Sequence, residues 1–468
     1  MIVRSEVASK PCLANSLSAA SRIAVRVWDP GPSSVCVLAE EMIPLYNSNE
    51  RMTQAPPSPL SPVLQGWRGI FSALRHRNFR LFFWGQLISL IGTWMDKTAE
   101  GWLVYRLTGS KVLLGVIAAA GTAPMIVFSF WGGSIADRLP KRSILVVTQS
   151  CAMCLAFIEA YLVWSHLVQP WQIVVLATFG GIVMAFDMPA RQSFVIEMTS
   201  REDLMNAISL NSSVFNGARL IGPSLAGIVM ARAGIARCFF YNGLSFLAVI
   251  VGLLMMNPPR IKVAAHTSAL RHALGGIAYV RGNRRLSTLF RLFSVAGVFG
   301  WSFMVLMPAW ARDVLHLDEA GYGILMSATG LGAMLGALAN AAFGRRLPHR
   351  AAVLGGVLLF SVMLILFSFS RIFSLSLVFL TIGMFGLMIF MSTSNSLVQT
   401  SVPDEMRGRV MGVWALIFGG MIPIGSLEAG YLAHWLGAPF TVALGAILCT
   451  LATLATWLSI RNRPHTPA

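Results

Sequence analysis

The sequence has 468 residues, of which 56% are apolar and only 12% are charged, and its formal net charge is +17. Soluble domains carry about 25% charged residues, so this composition excludes a water-soluble protein and makes the lipid bilayer the main surroundings of the chain. Lys and Arg cluster in the short segments between apolar runs, as they do in the loops of membrane proteins. The positive charge therefore does not indicate a nucleic-acid partner.

The first 74 residues contain no apolar run long enough to cross a membrane. Residues 1–51 carry Ser and Arg with few acidic residues, a composition that resembles a transit peptide. The alternative is that translation starts at Met52, with the prolines between residues 56 and 62 forming an extended linker. In either case we expect residues 1–74 to be poorly ordered.

Twelve apolar runs follow, each near the length of about 20 residues that a transmembrane helix needs. They cover residues 81–105, 112–134, 143–164, 171–189, 207–230, 238–256, 289–310, 321–343, 351–370, 373–394, 410–433 and 438–459. The polar interval 257–288 divides them into six plus six. The sequence therefore predicts an all-α membrane protein with two six-helix halves, at 75–256 and 289–460, joined by a central loop at 257–288 and followed by a tail at 461–468.

The charges of the loops predict the orientation. If residue 80 is cytoplasmic, the loops on the other side hold six basic residues, Arg106, Lys111, Arg232, Arg237, Arg312 and Arg371. The loops and tails on the side of residue 80, counted after Met52, hold 22 Lys or Arg. Because cytoplasmic loops are rich in Lys and Arg, we expect both termini and the central loop in the cytoplasm, and the protein in the cell inner membrane.

The two halves resemble each other in sequence. Residues 192–234 align with residues 395–437 at an offset of 203, and matching glycines include Gly222 with Gly425 and Gly227 with Gly430. Earlier in each half, Gly115 matches Gly323 at an offset of 208. Parallel repeats of this kind are typical of secondary transporters whose substrate site lies between the repeats near the membrane centre.

A basic motif, Gly133-Ser134-Ile135-Ala136-Asp137-Arg138-Leu139-Pro140-Lys141-Arg142, lies between the second and third runs. It resembles the loop signature of the major facilitator superfamily. The resemblance implies a close helix approach at Gly133, a contact of Asp137 with the positive end of span eleven, and pairing of the basic residues with an acid in span four, for which Asp187 is the candidate. We predict a cytoplasmic gate formed by Gly133, Asp137, Arg138, Lys141, Arg142, Asp187 and Arg191.

Other segments resemble the exporter branch of this superfamily that includes enterobactin and macrolide efflux proteins. The similarity covers approximately residues 75–460 and includes 78–82, 92–95, 187–192, 218–223 and 402–411. It implies export of a small amphiphilic compound such as a drug, a macrolide-like molecule or a siderophore. Gly217, Gly222, Pro223 and Gly227 resemble an antiporter motif with fewer glycines than usual.

Charged side chains inside apolar runs are costly unless they pair or face water, so each is a candidate for function. Asp96 and Glu100 share one face of the first run, and Lys97 can pair with Glu100 three residues later. Two close carboxylates that share a proton suit proton-coupled transport. The alternative is that this cluster is hydrated at the outer mouth.

Further charged residues lie within the apolar runs of both halves. Glu428 is deep in the eleventh run, where it needs a proton or a basic partner such as Arg219 or Arg291. We predict that Asp96, Glu100, Glu428 and Arg219 handle protons or substrate. We attribute Glu159, in the third run, to the outer interface.

Sequence motifs for catalysis or nucleotide binding are absent, including G-x-S-x-G, H-E-x-x-H and G-x-x-x-x-G-K-[ST]. We therefore expect no catalytic residue, no cofactor and no metal, and transport that runs on an ion gradient or downhill. Separately, we expect protons as the coupling ion and a monomer as the working unit. The predicted function is proton-coupled export of a small molecule. The alternatives are a metabolite importer of the same fold, a non-transporting membrane receptor or scaffold, and an intramembrane enzyme.

Overall fold

The computed structural model describes residues 71–200, 202–256, 269–344 and 346–461, which belong to one unit, Gln65–Ala468. These residues form helices joined by short turns, and none of them is in a β-strand. The predictions for residues 1–70, for 257–268 of the central loop and for 462–468 lie outside the described residues. Residues 72–74, which were also expected to be poorly ordered, lie in a 3-10 helix at Ser72–Arg75.

Thirteen long α-helices occur in the described residues. The first group is α1 Arg77–Thr108, α2 Lys111–Arg138, α3 Lys141–Trp164, α4 Pro170–Glu197, α5 Leu204–Ala233 and α6 Ile235–Leu254. Next come α7 Ala269–Gly282 and α8 Arg284–Val295. The last five are α9 Glu319–Phe343, α10 His349–Phe369, α11 Phe373–Thr400, α12 Asp404–Leu436 and α13 Ala438–Arg461.

Ten of the described helices, α2–α6 and α9–α13, are long and apolar enough to cross a membrane. They coincide with ten of the twelve predicted runs and extend past them into polar end turns. The other two runs fall on α1 and on the segment that α8 opens. At 32 residues, α1 is about 48 Å long, more than the roughly 30 Å of the hydrocarbon core, but it carries Asp96, Lys97 and Glu100.

The seventh predicted run does not form one regular helix. After α8 the chain passes through a π-helical turn at Ala296–Gly300, a 3-10 turn at Trp301–Met304, a short α-helix at Met307–Ala309 and a second π-helical turn at Trp310–Val314. Pro308 contributes to the irregularity because proline has no N–H donor for the helix ladder. We call residues 284–314 the broken segment; π-helical turns often mark functional sites.

The central interval predicted as a loop contains helix α7, which the sequence reading did not anticipate. It packs on α12, where Val280 is 7% exposed and a Cβ on Gly276 would lie 2.5 Å from the carbonyl oxygen of Arg409. The broken segment then starts at Arg284, where the Asn283 side chain accepts hydrogen bonds from the backbone of Arg285 and Leu286.

The long helices alternate in direction, so the bundle has two ends. At the end where α1 begins, which we call the near end, His76 binds Asp203 ahead of α5, and Lys141 of α3 pairs with Glu197 of α4. At the opposite far end, α1 stops and α2 begins.

Packing within the two helix groups follows the same pattern. In α1–α6, helix α1 packs on α5 and α6, α2 packs on α4, and α3 packs on α4 and α6. In the second group, the broken segment packs on α12 and α13, α9 packs on α11, and α10 packs on α11 and α13. Across the groups, α2 packs on α12 and α5 on α9.

Glycines bring the two groups together in the far half of the bundle. A Cβ on Gly323 of α9 would lie 2.8 Å from the Cα of Gly227 on α5, and one on Gly430 of α12 would lie 3.2 Å from the Cα of Gly115 on α2. Only residues without a side chain allow two backbones to approach so closely. Both pairs join glycines that the repeat alignment had singled out.

Candidate functional site

Arg219 lies between aromatic rings from the two helix groups. Its guanidinium carbon is 5.6 Å from the ring centre of Trp94 on α1 and 5.6 Å from that of Trp301 in the broken segment. Phe215, one turn earlier on α5, packs edge-on against Trp94 with ring centres 5.8 Å apart. The side chain of Arg219 is therefore held by cation–π contacts, and the residue is 7% exposed.

Glu428, the predicted partner of Arg219, does not pair with it. The Nε and Nη2 atoms of Arg219 are buried without a hydrogen-bond partner, and among the described residues no acidic side chain forms an ion pair with Arg219. Arg291 instead donates to the Ser287 carbonyl and to the Thr288 hydroxyl, both at 3.3 Å. The expected pairing of Glu428 with Arg219 or Arg291 is absent from the part of the chain that the structure describes.

Glu428 is placed within the second group. One of its carboxylate oxygens, Oε2, is buried with no hydrogen-bond partner among the described residues. It lies within electrostatic range of Cys449 on α13. Gly425, one turn earlier on α12, packs against Val298 of the broken segment. Glu428 thus lies beside the irregular turns of that segment.

The acidic cluster of α1 is buried on the side away from Trp94. Asp96 and Glu100 are each 5% exposed, and the Lys97 ammonium lies 2.5 Å from Glu100 and 4.0 Å from Asp96. The predicted Lys97–Glu100 pair is confirmed. At about 100° per residue, Asp96 and Glu100 lie about 200° and 240° around the helix from Trp94, so the cluster faces α3 and α6 rather than Arg219.

Two residues from other helices complete this cluster. Asp96 accepts a hydrogen bond from Asn242 of α6, and Glu159 of α3 interacts electrostatically with Asp96, Lys97 and Glu100. Glu100 and Glu159 line one cavity whose other walls are apolar, formed by Leu103, Leu162, Val163, Val168, Ile173, Leu176 and Phe239. Glu159, which we attributed to the outer interface, therefore belongs to a cluster of three carboxylates and one lysine.

Asp187 is 1% exposed and is the centre of a hydrogen-bond network between α1, α3 and α4. It accepts hydrogen bonds from the Thr148 hydroxyl and the Gln149 amide, both at 2.8 Å, and pairs with Arg191 one turn along α4. Arg191 in turn donates to the Gln86 amide oxygen of α1 at 2.6 Å. The structure thus brings together the predicted gate residues Asp187 and Arg191.

The basic motif takes a different partner from the one expected. Lys141 pairs with Glu197 at 2.5 Å, and Arg142 donates to the Leu254 carbonyl of α6 at 2.7 Å. Glu197 is the last residue of α4, whereas Asp187 lies ten residues or about 15 Å deeper along that helix. The acid of span four that reaches the motif is therefore Glu197, and the assignment to Asp187 was wrong.

Other residues of the motif make fewer contacts in this structure. A Cβ on Gly133 would meet no atom within 4 Å, whereas one on the preceding Gly132 would collide with the Ala185 carbonyl of α4. The close helix approach expected at Gly133 is made by Gly132. Arg138 is exposed, and Asp137 has no ion pair among the described residues.

Four polar contacts join the helix groups at the far end. Tyr105 donates to the Asp313 carboxylate, and the Lys111 ammonium lies 3.9 Å from the same group. These contacts are accompanied by a second pair on Glu319, which accepts from Trp102 at 3.2 Å and lies 3.7 Å from Arg106. We call these four contacts the far-end closure. They were not predicted from the sequence, although Asp313 and Glu319, before and at the start of α9, complement the basic residues around the α1–α2 turn.

Asp203 fastens the start of α1 to the start of α5 at the near end. Hydrogen bonds from Ser72 and His76, together with the nearby Arg75 guanidinium, lower the pKa of its carboxyl below the usual value. The backbone N–H of Ala73 donates to the Asn206 side chain at 2.9 Å beside it.

The comparisons with known proteins agree with this arrangement. Residues 68–465 match the family described as transmembrane secretion effector, a group within the major facilitator superfamily. The chain belongs to this superfamily. It is therefore a multi-pass membrane transporter and not an enzyme, and the resemblance drawn from the basic motif is confirmed.

Individual relatives include both siderophore and drug transporters. The chain is 23% identical to the staphyloferrin A transporter of Staphylococcus aureus, covering 82% of this chain and 96% of that protein. It is 27% identical to the multidrug efflux pump Tap of Mycolicibacterium fortuitum, over 81% and 95% of the two chains. The enterobactin exporter EntS of Shigella flexneri is 24% identical over 75% and 84%.

A solved structure shows the same fold. The inward-facing, unoccupied form of a bacterial homologue of the lysosomal transporter Spinster has a TM-score of 0.66, with 12% identity, and the match covers 83% of this chain and 99% of that one. The transporter fold of the superfamily is thus shared at low sequence identity.

Proposed function

We propose that this transporter exports a small amphiphilic compound in exchange for protons, by alternating access between two six-helix halves with twelve spans in total. The observation that carries the proposal is the way the two helix groups meet. Gly115 is the repeat equivalent of Gly323, and Gly227 is that of Gly430, so the contact pairs Gly115–Gly430 and Gly227–Gly323 are equivalent to each other. This equivalence supports the pseudo-symmetry expected of two rocking halves.

The same contacts support a specific state of the cycle. The glycine pairs and the contacts to Asp313 and Glu319 all hold the far half closed. At the near end, Met205, Ile208 and Phe215 on the Arg219 face of α5 are exposed. Since the basic loops predict a cytoplasmic near end, the proposed state opens to the cytoplasm, with both termini on that side of the inner membrane and the monomer as the transporting unit.

Proton transfer is assigned to the buried acids. Asp96, Glu100 and Glu159 surround a single lysine in an apolar region, and this excess of negative charge favours the uptake of a proton. Glu428 lies beside the broken segment, the most irregular part of the described bundle, where a change of its charge can shift local structure. The basic motif and the Asp187–Arg191 network are the proposed near-end gate.

Export is supported by the relatives, among them a multidrug efflux pump and an enterobactin exporter. The test uses inverted membrane vesicles, whose lumen corresponds to the outside of the cell. When the lumen is acidified, a proton-coupled exporter should accumulate a labelled macrolide, a siderophore or a fluorescent dye there. Accumulation by downhill flow alone, or from an alkaline lumen, would contradict the proposal.

Two variants test the acids with a matched control. Asp96→Asn and Glu428→Gln should abolish accumulation driven by the pH gradient while the protein remains folded. Glu405→Gln, which removes an exposed near-end carboxylate, should leave accumulation unchanged. Full activity of Glu428→Gln would remove that residue from the proton pathway.

A further inference from the structure

The unpartnered atoms of Arg219 lie on one edge of its guanidinium group. Nε and Nη2 both lack a hydrogen-bond partner in the described part of the chain. In the planar guanidinium these two nitrogens present parallel N–H donors, the arrangement that binds the two oxygens of a carboxylate. The free donors therefore match a particular ligand geometry.

A structural role does not account for this edge. Arg cannot lose its proton in a protein, and a buried charge normally needs a hydrogen-bonded partner. The rings of Trp94 and Trp301 interact with the guanidinium through their faces, but an aromatic face accepts no bond from the two edge donors in the way an oxygen does. Arg219 also lies between the two helix groups, because Trp94 belongs to one group and Trp301 to the other.

The surroundings of Arg219 are apolar and aromatic on the side that leads to the near end. Phe215, Ser212, Ile208 and Met205 precede Arg219 at spacings of three or four residues, so they form one face of α5. All four are exposed. A ligand that reaches Arg219 along this face meets mostly apolar surface and ends at a cation.

We propose that Arg219 is the recognition site for the anionic group of an amphiphilic organic acid, with a carboxylate on its Nε–Nη2 edge and an apolar or aromatic body against Trp94, Trp301 and Phe215. This assignment rests on the proposed function and narrows it to anionic substrates. Binding displaces part of the aromatic cover, which couples the ligand to the contact between the helix groups.

The test compares two dyes with the same xanthene skeleton and opposite charge. Carboxyfluorescein carries carboxylates, and rhodamine 6G carries a positive charge. Binding to the purified full-length protein is measured by fluorescence polarisation without any ion gradient. The unaltered protein should bind carboxyfluorescein at least about 10-fold more tightly than rhodamine 6G, and Arg219→Gln should weaken carboxyfluorescein binding by about 10- to 100-fold.

Two more variants separate recognition from folding. Arg219→Lys keeps the charge but loses the parallel donors, so carboxyfluorescein affinity should fall by about 3- to 10-fold while rhodamine 6G affinity stays unchanged. This variant provides the test if Arg219→Gln does not fold. Arg232→Gln, an exposed arginine at the far end of the same helix, should bind both dyes as the unaltered protein does.

The inference is overturned if the unaltered protein binds the two dyes equally, binds neither, or keeps its carboxyfluorescein affinity in both Arg219 variants. These outcomes can be distinguished from a failure of the proposed function. Arg219-dependent binding without proton-driven movement would overturn proton-coupled export alone, whereas proton-driven movement of cations with no preference for the anion would overturn the inference alone.

Discussion

The far-end closure predicts how the two helix groups respond when their polar contacts are weakened. Asp313 and Glu319 each accept one hydrogen bond from a buried aromatic residue and lie near one basic side chain. The double variant Asp313→Asn with Glu319→Gln keeps the shape of both side chains and removes their charge. We expect the far end to open more often while the bundle itself stays folded.

The size of the effect follows from exposure. The side chains of Asp313 and Glu319 are 42% and 26% exposed, so each ion pair is screened by solvent and contributes about 0.2–1 kcal/mol. Hydrogen bonds from Tyr105 and Trp102 weaken when their acceptors become neutral, at a cost of about 0.5–1 kcal/mol each. The total of about 1.4–4 kcal/mol corresponds to a shift of roughly 10- to 1,000-fold in the equilibrium between the state with the far end closed and the state with the far end open.

Leu167 and Trp435 are both exposed and lie on far-end turns of different helix groups. Spin labels at these two positions, in a background without other reactive cysteines, allow the distance between the groups to be measured by electron paramagnetic resonance. The double variant should increase the long-distance population at least fivefold. The matched control is Asp404→Asn, because Asp404 pairs with Arg407 on its own helix. An unchanged distribution in the double variant, or an equal change in the control, would refute the assignment of these contacts to closure.

Three further predictions concern the near end. The side chains of Lys141 and Glu197 are 12% and 13% exposed, so Lys141→Gln should lower the free energy of unfolding by about 1–3 kcal/mol. The exchanged pair, Lys141→Glu with Glu197→Lys, should recover most of this loss in a thermal melt. A melting temperature that does not recover would contradict the assigned pair. Gly132→Ala should destabilise the bundle by about 1–3 kcal/mol, because the added Cβ collides with Ala185, whereas Gly133→Ala should be tolerated. The opposite ranking of the two melting temperatures would show that the wrong glycine was identified. The pKa of Asp203 is lowered in the folded state, so its contribution to stability is fully present above the ordinary carboxyl pKa and is lost as the pH falls below about 4. The stability advantage of the unaltered protein over Asp203→Asn should therefore shrink in that range. An advantage that grows on acidification would contradict the assigned hydrogen bonds.

The positions of ten spans could be predicted because each is a long apolar run with polar ends. The broken segment could not, because hydropathy reports the environment of residues 289–310 but not the hydrogen-bond pattern of their backbone. Pro308 was a local signal, yet the π-helical turns depend on packing against α12 and α13. Helix α7 was missed for a related reason, since its interval is basic overall and its apolar side becomes evident only against α12.

For the candidate site, residue type was more informative than residue pairing. Charges inside apolar runs pointed to Asp96, Glu100, Arg219 and Glu428, and the Lys97–Glu100 pair followed from helical spacing. The absence of a partner for Arg219 among the described residues, and the role of Glu197 in place of Asp187, depend on depth and rotation in the bundle. A single sequence fixes neither for helices that are distant in the chain.

The most direct test of proton-coupled export is a simultaneous measurement of proton and substrate movement in proteoliposomes that contain the full-length protein. An outward gradient of carboxyfluorescein or a labelled macrolide is imposed with no pH gradient, and the lumenal pH is followed with a spectrally separate indicator. The account predicts that substrate leaving the lumen drives protons inward, so the lumen acidifies, and that Glu428→Gln or Asp96→Asn abolishes this acidification. Substrate movement with no change in lumenal pH, or with alkalinisation of the lumen, would contradict it.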